Sequence, residues 1–241
     1  MSEEQDLANP MSNLLDRNPN HVWKSSDMLA QSLSIDLGTA RAVDTLVFGN
    51  NNLHDVIGAN SVTVQGKLNS GDAWTTWATI PAATFYSYGN IEVEATSQTF
   101  RYWQITFPAM TGIPQIGNLS IGARAEISQP PDSQSEHGET FKTNSRRSVN
   151  GTPYSSQPFA GIETWKWNWS NINQADGDAL LTLANSVRGM MLPFYMIDQN
   201  GLCGPPVYLN ADENLLKRKS YNYSDAPAIE LEAFSPGTIV I

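Results

Sequence analysis

Three tryptophans occupy every second position of one short segment, at Trp165, Trp167 and Trp169. Side chains of a β-strand alternate between its two faces, so this spacing predicts a strand that carries three indole rings on one face. A strand face with three indole rings must be covered by a large apolar surface. The partner of this strand is therefore expected to be a helix of the same chain or another subunit.

The apolar pattern changes directly after the tryptophans. From residue 171 to 188 apolar residues recur at three- and four-residue steps, which predicts an amphipathic helix. Asn171 or Asn173 would cap its start, and Gly189 would end it. The apolar run 190–197 then predicts a further strand, so a strand–helix–strand unit is expected here.

Length and composition limit the class of protein. At 241 residues the chain is longer than one typical domain and suits two. An apolar content of 40% with only 16% charged residues is typical of a folded, β-rich protein. The formal net charge of −10 opposes binding to nucleic-acid phosphates, which needs clustered Lys and Arg. No sequence-specific binding of nucleic acid is predicted.

Cysteine usage and the N-terminus indicate where the chain folds. Cys203 is the only cysteine, so an intrachain disulfide is impossible. The first ten residues are acidic and lack the apolar stretch of a secretory signal. The sequence also has no run of about 18 apolar residues that could cross a membrane. We therefore expect folding in a reducing cytoplasm without a membrane span, and the chain could still leave the cell as part of a particle.

The first half of the chain consists of short alternating segments from residue 31 onwards. Clusters of Gly, Asn, Asp and Pro separate them, and no helical period lies between them. Seven or eight short strands joined by turns predict a β-sandwich. The segments are QSLSIDLG, VDTLVFGN, SVTVQGKL, WTTWATI, NIEVEAT, FRYWQITF and IGNLSIGAR.

The order of these strands carries a family resemblance over about residues 10–127. The IDLG strand at 35–38, the RYWQI strand at 101–105 and the closing IGNLSIG strand at 116–122 follow one another at matching distances. This region resembles a discoidin-type, galactose-binding-like jelly roll. The resemblance implies a jelly-roll β-sandwich, with Trp23, Trp74 and Trp103 in its core or at its rim. Members of this family bind glycans or lipids, and others are structural spacers.

The resemblance also implies where a ligand would bind. In glycan-binding members the contacts lie in loops at one end of the sandwich, with an aromatic ring for stacking. The same residue types also build turns, so a purely structural reading of these loops stays open. The candidates are Arg17, Asn20, His21, Asn51, Asn52, His54, Tyr86 and Tyr88.

Two further expectations concern these loops. Replacing Asn51, Asn52 and His54 with Ala is expected to abolish glycan binding at a nearly unchanged melting temperature, because exposed loop residues contribute little stability. Related domains often hold a structural calcium near the first loop, where Asp16 and Asn18 are the nearest equivalents. Calcium takes about six to eight oxygen ligands, so these two are weak candidates. No other cofactor or metal is predicted.

A polar segment with two prolines, residues 128–138, predicts an exposed linker. We therefore expect a sandwich domain over 1–127 and a smaller α+β domain over 139–241. Within the second domain, Asn150 and Gly151 predict a two-residue hairpin turn.

The C-terminal stretch alternates again. Val207 and Leu209, and later Ile229 and Leu231, predict two more strands. The basic residues at 217–219 precede two tyrosines and could contact nucleic acid through charge and stacking. Three cations in an acidic domain favour instead a solvated turn that leads into an edge strand.

The sequence contains no motif of a known catalytic class. Nucleophile elbows, phosphate-binding loops, zinc-protease motifs and dinucleotide-binding glycines are all missing. The histidines at 21, 54 and 137 have no metal-ligand spacing. Paired carboxylates such as Glu92 and Glu94 are explained by the outer face of a strand. No enzymatic activity is predicted.

Residues 139–241 contain an ordered set of features: Arg146-Arg147, Asn150-Gly151, the WKWNW strand, a helix with Leu180-Leu181, Arg188-Gly189 and Pro193-Phe194-Tyr195. This set resembles the ring-forming domain of phage distal tail and minor tail proteins. The resemblance implies a homo-hexameric ring around the tail channel, or a trimer as in tail-tip hubs. Its partners would be the tail tube, tape-measure and hub proteins, and its location the virion.

These observations predict a structural component of a phage or phage-like tail, most like a distal tail or tail-tip hub protein. Its sandwich would face outwards and contact a host-surface glycan or a neighbouring tail protein. The hairpin at 150–151 and the strands near Val207 and Ile229 are expected to form the two ring interfaces through their edges. The alternative is a soluble, lectin-like protein that binds glycan through its N-terminal loops.

Overall fold

A computed structural model describes eleven stretches of the chain, and the chain divides into two compact units. The N-terminal unit comprises Met1–Arg124 with Ile197–Gly204, and the C-terminal unit Ala125–Met196 with Pro205–Ile241. The described residues are 9–15, 21–85, 89–128, 136–140, 144–147, 153–156, 162–186, 194–197, 203–210, 217–220 and 223–233.

The N-terminal unit is built around one antiparallel sheet with the strand order β1-β6-β2-β5-β3-β4. Its elements are a 3-10 turn at Met11–Leu15, β1 (Trp23–Lys24), β2 (Gln31–Asn51), α1 (Leu53–Val56), β3 (Val62–Lys67), β4 (Thr75–Ile80), a 3-10 turn at Ala82–Thr84, β5 (Gly89–Phe107) and β6 (Gln115–Gly122).

The two central strands, β2 and β5, fold the sheet over on itself. β6 pairs with β2 from Thr45 to Asn51, whereas β3 pairs with β5 from Tyr102 to Thr106. Phe107 pairs with the first residue of β2, yet its ring centroid lies 6.4 Å from that of Phe48 near the other end. The two halves of the sheet therefore face each other across a core, which confirms the predicted β-sandwich.

Two pairs of predicted short strands are single long strands in the structure. The segments QSLSIDLG and VDTLVFGN form β2, and NIEVEAT and FRYWQITF form β5. Their pairing shifts register between Asp36 and Arg41 and again between Val43 and Thr45. Gly38, which lies at the first of these two shifts, has a φ of 75°, a conformation that suits glycine. These irregularities bend the strand without ending it.

One cluster of buried apolar side chains fills the sandwich. Val64 and Ile105 come from one half of the sheet, and Leu46 and Val93 from the other. Trp23 and Trp103 are buried as predicted, and Trp74 is half-buried at the rim.

A bulge in β4 adds a further aromatic side chain to this core. Val64 pairs with Ala78 and Gln65 with Thr76, so Trp77 is the extra residue of its strand. The Trp77 ring meets that of Trp103 edge-on at 5.6 Å, and its Nε1 donates a hydrogen bond to the carbonyl of Thr96 at 3.0 Å.

The C-terminal unit contains a second antiparallel sheet with the order β11-β12-β14-β10-β7, while β13 pairs with β14 and β8 with β9. Its elements are β7 (Glu136–Thr140), β8 (Asn144–Arg147), β9 (Pro153–Ser156), β10 (Ile162–Ile172), α2 (Gln174–Ser186), β11 (Phe194–Ile197), β12 (Cys203–Asn210), β13 (Lys217–Ser220) and β14 (Tyr223–Ala233).

The predicted strand–helix–strand order is confirmed by β10, α2 and β11. The rings of Trp167 and Trp169 meet edge-on at 5.9 Å, and Trp169 is buried. Asn173 caps α2, because its Oδ1 accepts a hydrogen bond from the backbone N of Asp176 at 2.8 Å. Asn171 belongs to β10, and Gly189 lies outside the described residues.

The buried carboxylate of Asp176 ties the start of α2 to residue 128. It accepts hydrogen bonds from the backbone N and the Oγ of Ser128 at 3.1 and 2.9 Å, and from Nδ2 of Asn173 at 2.8 Å. Strand β7, which pairs with β10, already begins at Glu136. The sequence had predicted a linker over residues 128–138. Residues 136–138 belong instead to the sheet.

Three further predictions for the C-terminal unit change. β8 pairs with β9 as a hairpin requires, but Arg147 pairs with Pro153, so five residues separate the strands instead of two. The basic residues at 217–219 lie in strand β13 itself and not in a turn. β12 and β14, expected at ring interfaces through their edges, each have sheet neighbours on both sides. For these two strands the prediction is wrong, because the backbone groups of an interior strand are already paired. Residues 150–151 of the predicted hairpin interface lie outside the described residues, so that part stays a prediction.

Candidate functional site

The candidate ligand loop after β2 is shaped by its own asparagines. Asn51 is buried; its Nδ2 donates to the carbonyl of Phe48 at 3.2 Å, and its Oδ1 accepts from the backbone N of Leu53 at 3.1 Å. Asn50, directly before it, has a φ of 46°, a conformation that asparagine tolerates better than most residues. The Asn51 side chain therefore ends β2 and starts α1.

Asn52 ties this turn to the start of β6. Its Oδ1 accepts from the backbone N of Gln115 at 2.8 Å, and its Nδ2 donates to the carbonyl of Ile113 at 3.0 Å. Its own backbone N donates to the carbonyl of Gln115 at 3.2 Å. The structure thus gives both asparagines a structural role, and replacing them should lower stability, contrary to the sequence-based expectation.

His54 is exposed and contacts the residue that precedes a second candidate loop in the sequence. Its Nδ1 lies 2.6 Å from the carbonyl oxygen of Phe85. A carbonyl only accepts hydrogen bonds, so Nδ1 is the donor in this contact. On the other side of that loop, the backbone N of Asn50 donates to Oδ1 of Asn90 at 3.2 Å. Asn50 and His54 therefore contact Asn90 and Phe85, which follow and precede residues 86–88 in the sequence.

His21 does not lie beside His54. Strand β1 pairs Trp23 with Ile116, and β2 pairs Asn51 with the same residue. Both strands run antiparallel to β6, so they share one direction; His21 comes before this row of paired residues, whereas His54 comes after it. His21 therefore precedes β1 on the side of this row away from His54.

Six predicted residues lie outside the described part of the chain. Tyr86 and Tyr88 fall between Phe85 and Gly89, and the described segments likewise omit the first loop. Within the described residues, no group of three or more His, Cys, Asp or Glu side chains could hold a metal ion. The calcium site stays a prediction. The residues of the first loop concerned are Asp16, Arg17, Asn18 and Asn20.

A separate charged cluster surrounds Glu92. Arg124 Nη1 lies 3.0 Å from Glu94 Oε2 and 3.7 Å from Glu92 Oε1, and the backbone N of Arg124 donates to Asp44 at 2.7 Å. Glu92 Oε1 is buried without a hydrogen-bond partner, and this burial raises the pKa of the Glu92 carboxyl. Shifted carboxyl groups mark many active sites. Here burial against the sheet and the neighbouring charges explain the shift without catalysis.

Sequence reasoning missed a second group of polar and aromatic side chains, on the sheet face away from the core. Arg101 binds Asp36 through two N–O contacts of 2.8 Å, and its guanidinium carbon lies 4.7 Å from the ring centre of Tyr102. Lys67 Nζ lies 4.5 Å from the ring of Trp74. The alternation of FRYWQITF was the signal, because it turns Tyr102 outwards when Trp103 faces the core.

Comparison with known proteins gives structural similarity only. No protein-family model matches the sequence, and no curated protein matches it. Chitosan-binding module 1 from the chitosanase/glucanase of Paenibacillus sp. IK-5 matches at 19% identity and a TM-score of 0.42. The match covers 51% of this chain and 91% of that module.

Two further solved structures match a similar share of the chain. The CBM32 of AlyQ in complex with 4,5-unsaturated mannuronic acid matches at 17% identity and a TM-score of 0.44, over 52% of this chain and 93% of that one. CBM32-1 from a family 31 glycoside hydrolase of Clostridium perfringens matches at 13% identity and a TM-score of 0.43. That match covers 51% of this chain and 91% of the module. Similarity at this level assigns no ligand to the present chain.

Among the described residues, no helix is long and apolar enough to cross a membrane.

Proposed function

We propose that this chain is a structural component of a phage or phage-like tail, most like a distal tail or tail-tip hub protein. Its C-terminal unit would form a ring around the tail channel, and its N-terminal sandwich would contact a host-surface glycan or a neighbouring tail protein. The order of elements in the C-terminal unit carries this proposal. The elements follow the order expected from the resemblance to phage distal tail proteins. They are the β8–β9 pair, the tryptophan strand β10, the Asn-capped helix α2 and strand β11.

The sheet of the C-terminal unit has the edges that a ring requires. A ring is built from two different patches on each subunit, which meet head to tail. β7 and β11 end the sheet path on opposite sides, and within the described residues each has one strand neighbour. Unpaired strand edges favour pairing with another chain. We therefore place the two ring interfaces at β7 and β11 instead of β12 and β14.

The charge of the chain suits a channel through which DNA passes. A net charge of −10 per subunit gives a ring of any size a strongly negative total. DNA phosphates are repelled by such a surface, so the genome would pass without binding.

Native mass spectrometry of the full chain tests the ring. We expect a closed hexamer, with a trimer as the alternative that tail-tip hubs suggest. A monomer at all concentrations up to the solubility limit would contradict the ring.

A soluble glycan-binding protein is the second candidate function. The observation that favours it is that the exposed candidate His54 lies 2.6 Å from the carbonyl oxygen of Phe85, which directly precedes the candidate Tyr86 in the sequence. A monomer that is retained on a sugar column would support this candidate over the tail protein.

A further inference from the structure

The outward face of the sheet half formed by β2, β5, β3 and β4 carries an ordered array of polar side chains. In β3 the buried residues alternate with Thr63, Gln65 and Lys67, which point away from the core. Each of these three residues has cross-strand partners on the neighbouring strands, and together they form a row across the sheet. The rows are Ser32–Thr106–Thr63–Thr79, Ser34–Gln104–Gln65–Thr76 and Asp36–Tyr102–Lys67. Gln104, at the centre of the second row, is buried between its neighbours, so the Gln65 carboxamide is the one left to face a ligand. We call these three rows the polar platform.

Side chains of the polar platform retain capacity for hydrogen bonds with a ligand. Ser32 Oγ and Thr106 Oγ1 are 3.3 Å apart, and Gln65 Nε2 donates to Thr76 Oγ1 at 3.4 Å. Each hydroxyl can donate one hydrogen bond and accept two, so these long contacts use only part of what the groups offer. Adjacent strands lie about 4.8 Å apart, which spaces the donors and acceptors regularly across the face.

Two aromatic rings border the polar platform. Trp74 directly precedes β4, and Lys67 Nζ lies 4.5 Å from the centre of the Trp74 ring. The other ring is that of Tyr102, against which Arg101 stacks at 4.7 Å while its guanidinium also binds Asp36. Rings held by such contacts lose little conformational freedom when a ligand stacks on them.

The composition of the polar platform selects among ligand classes. Protein interfaces bury an apolar core, and no aliphatic side chain stands in the three rows. Nucleic acid requires several cations for its phosphates, whereas Lys67 and Arg101 are accompanied by the carboxylate of Asp36. Hydroxyls, carboxamides and bordering aromatic rings match a hydroxyl-rich, uncharged ligand.

We propose that the polar platform binds a neutral oligosaccharide laid across the four strands, with one sugar ring against the aromatic border. The proposal rests on the part of the proposed function that assigns glycan contact to the sandwich, and it moves that contact from the loops to the sheet face. It does not depend on ring formation.

Calorimetric titration of the full chain with cellohexaose and chitohexaose tests the proposal, with hexagalacturonate as the charged comparison. The first variant, Thr63→Val with Thr106→Val, removes two hydroxyls while keeping β-branched side chains of similar shape. The second, Tyr102→Ala, removes one ring of the border. Thr99→Val is the matched control, because Thr99 is an exposed residue of β5 outside the three rows. His54→Ala tests the loop.

We expect at least one neutral hexasaccharide to bind, and each platform variant to raise its Kd about tenfold or more. Thr99→Val and His54→Ala should leave Kd within about twofold, and all variants should unfold cooperatively. The proposal is overturned if neither neutral sugar binds, if hexagalacturonate binds more tightly, or if His54→Ala weakens binding as much as the platform variants. Native mass spectra of the same samples report the ring separately, so failure of one proposal does not imply failure of the other.

Discussion

Gly66 shows how closely a single residue of the sandwich is fixed by its neighbours. A Cβ atom added at Gly66 would lie 2.8 Å from Cγ and 2.9 Å from Cε2 of the Phe100 ring. That ring is itself held edge-on against Trp103 at 5.5 Å. The glycine is thus required by the aromatic packing and not by a turn.

Gly66→Ala is expected to lower the free energy of unfolding by about 1–3 kcal/mol, because Phe100 must move out of its packed position. Chemical denaturation of the full chain measures this change. Gly71→Ala is the matched control, since nothing lies within 4 Å of a Cβ there. Equal stability of the two variants would show that the Phe100 ring has room to move.

The Asp36 carboxyl is expected to titrate far below its ordinary range. The hydrogen bond from Arg101, followed by that from the backbone N of Gly38, lowers the pKa of Asp36 from 3.8 to about 2. Its contribution to stability is therefore present above pH 3.8 and is lost as the pH falls towards 2. In Arg101→Gln the pKa of Asp36 should rise but stay below 3.8, because Gly38 still donates. Carboxyl NMR measures both values, and an unchanged pKa in the variant would contradict the assigned cause.

Asn52 separates a structural from a ligand-binding role in the loop. Asn52→Ala removes hydrogen bonds to Gln115 and Ile113 and should cost about 1–2 kcal/mol of unfolding free energy. Asn52→Asp keeps the acceptor for the Gln115 N and should recover part of the loss. Thermal unfolding measures both variants. A melting temperature that Asn52→Ala leaves unchanged would restore the view of this residue as a free loop side chain.

At the scale of elements, strand edges decide how the C-terminal unit could associate. Charged side chains on an edge strand oppose pairing with another chain. Met196 lies in the edge strand β11, so Met196→Lys should weaken ring assembly, raising the subunit dissociation constant about tenfold, which is about 1.4 kcal/mol. Leu181→Lys on the exposed side of α2 adds the same charge away from an edge. Analytical ultracentrifugation compares the two variants, and equal effects would remove β11 from the interface.

Local patterns predicted elements better than their connections. Alternation located the strands around Leu33, Val64 and Ile105, and the change of period located α2 and its cap. The bend that keeps β2 a single strand depends on pairing with β5, which is distant in sequence. Likewise, Asn52 looked available for a ligand because its side-chain partners, Ile113 and Gln115, lie about sixty residues away in the sequence.

At the scale of the whole molecule, the N-terminal β-sandwich carries the polar platform, and the C-terminal unit is the part that we propose forms a ring. The glycan proposal depends on contacts within the sandwich, and the ring proposal depends on the edge strands of the second sheet. Neither proposal requires a particular arrangement of the two units. The sandwich was predictable because its core strands follow a strict alternation. The edge strands of the second sheet could not be predicted, because strand order depends on pairings between distant segments such as β10 and β14.

Cryo-electron microscopy of an assembled tail particle that contains this chain tests the central claim most directly. The account predicts copies of the chain in a closed ring around the channel axis, with β7 and β11 of neighbouring subunits at the contacts. Density for the chain only on peripheral fibres, away from the axis, would contradict the ring and leave the sandwich as a binding module of another assembly.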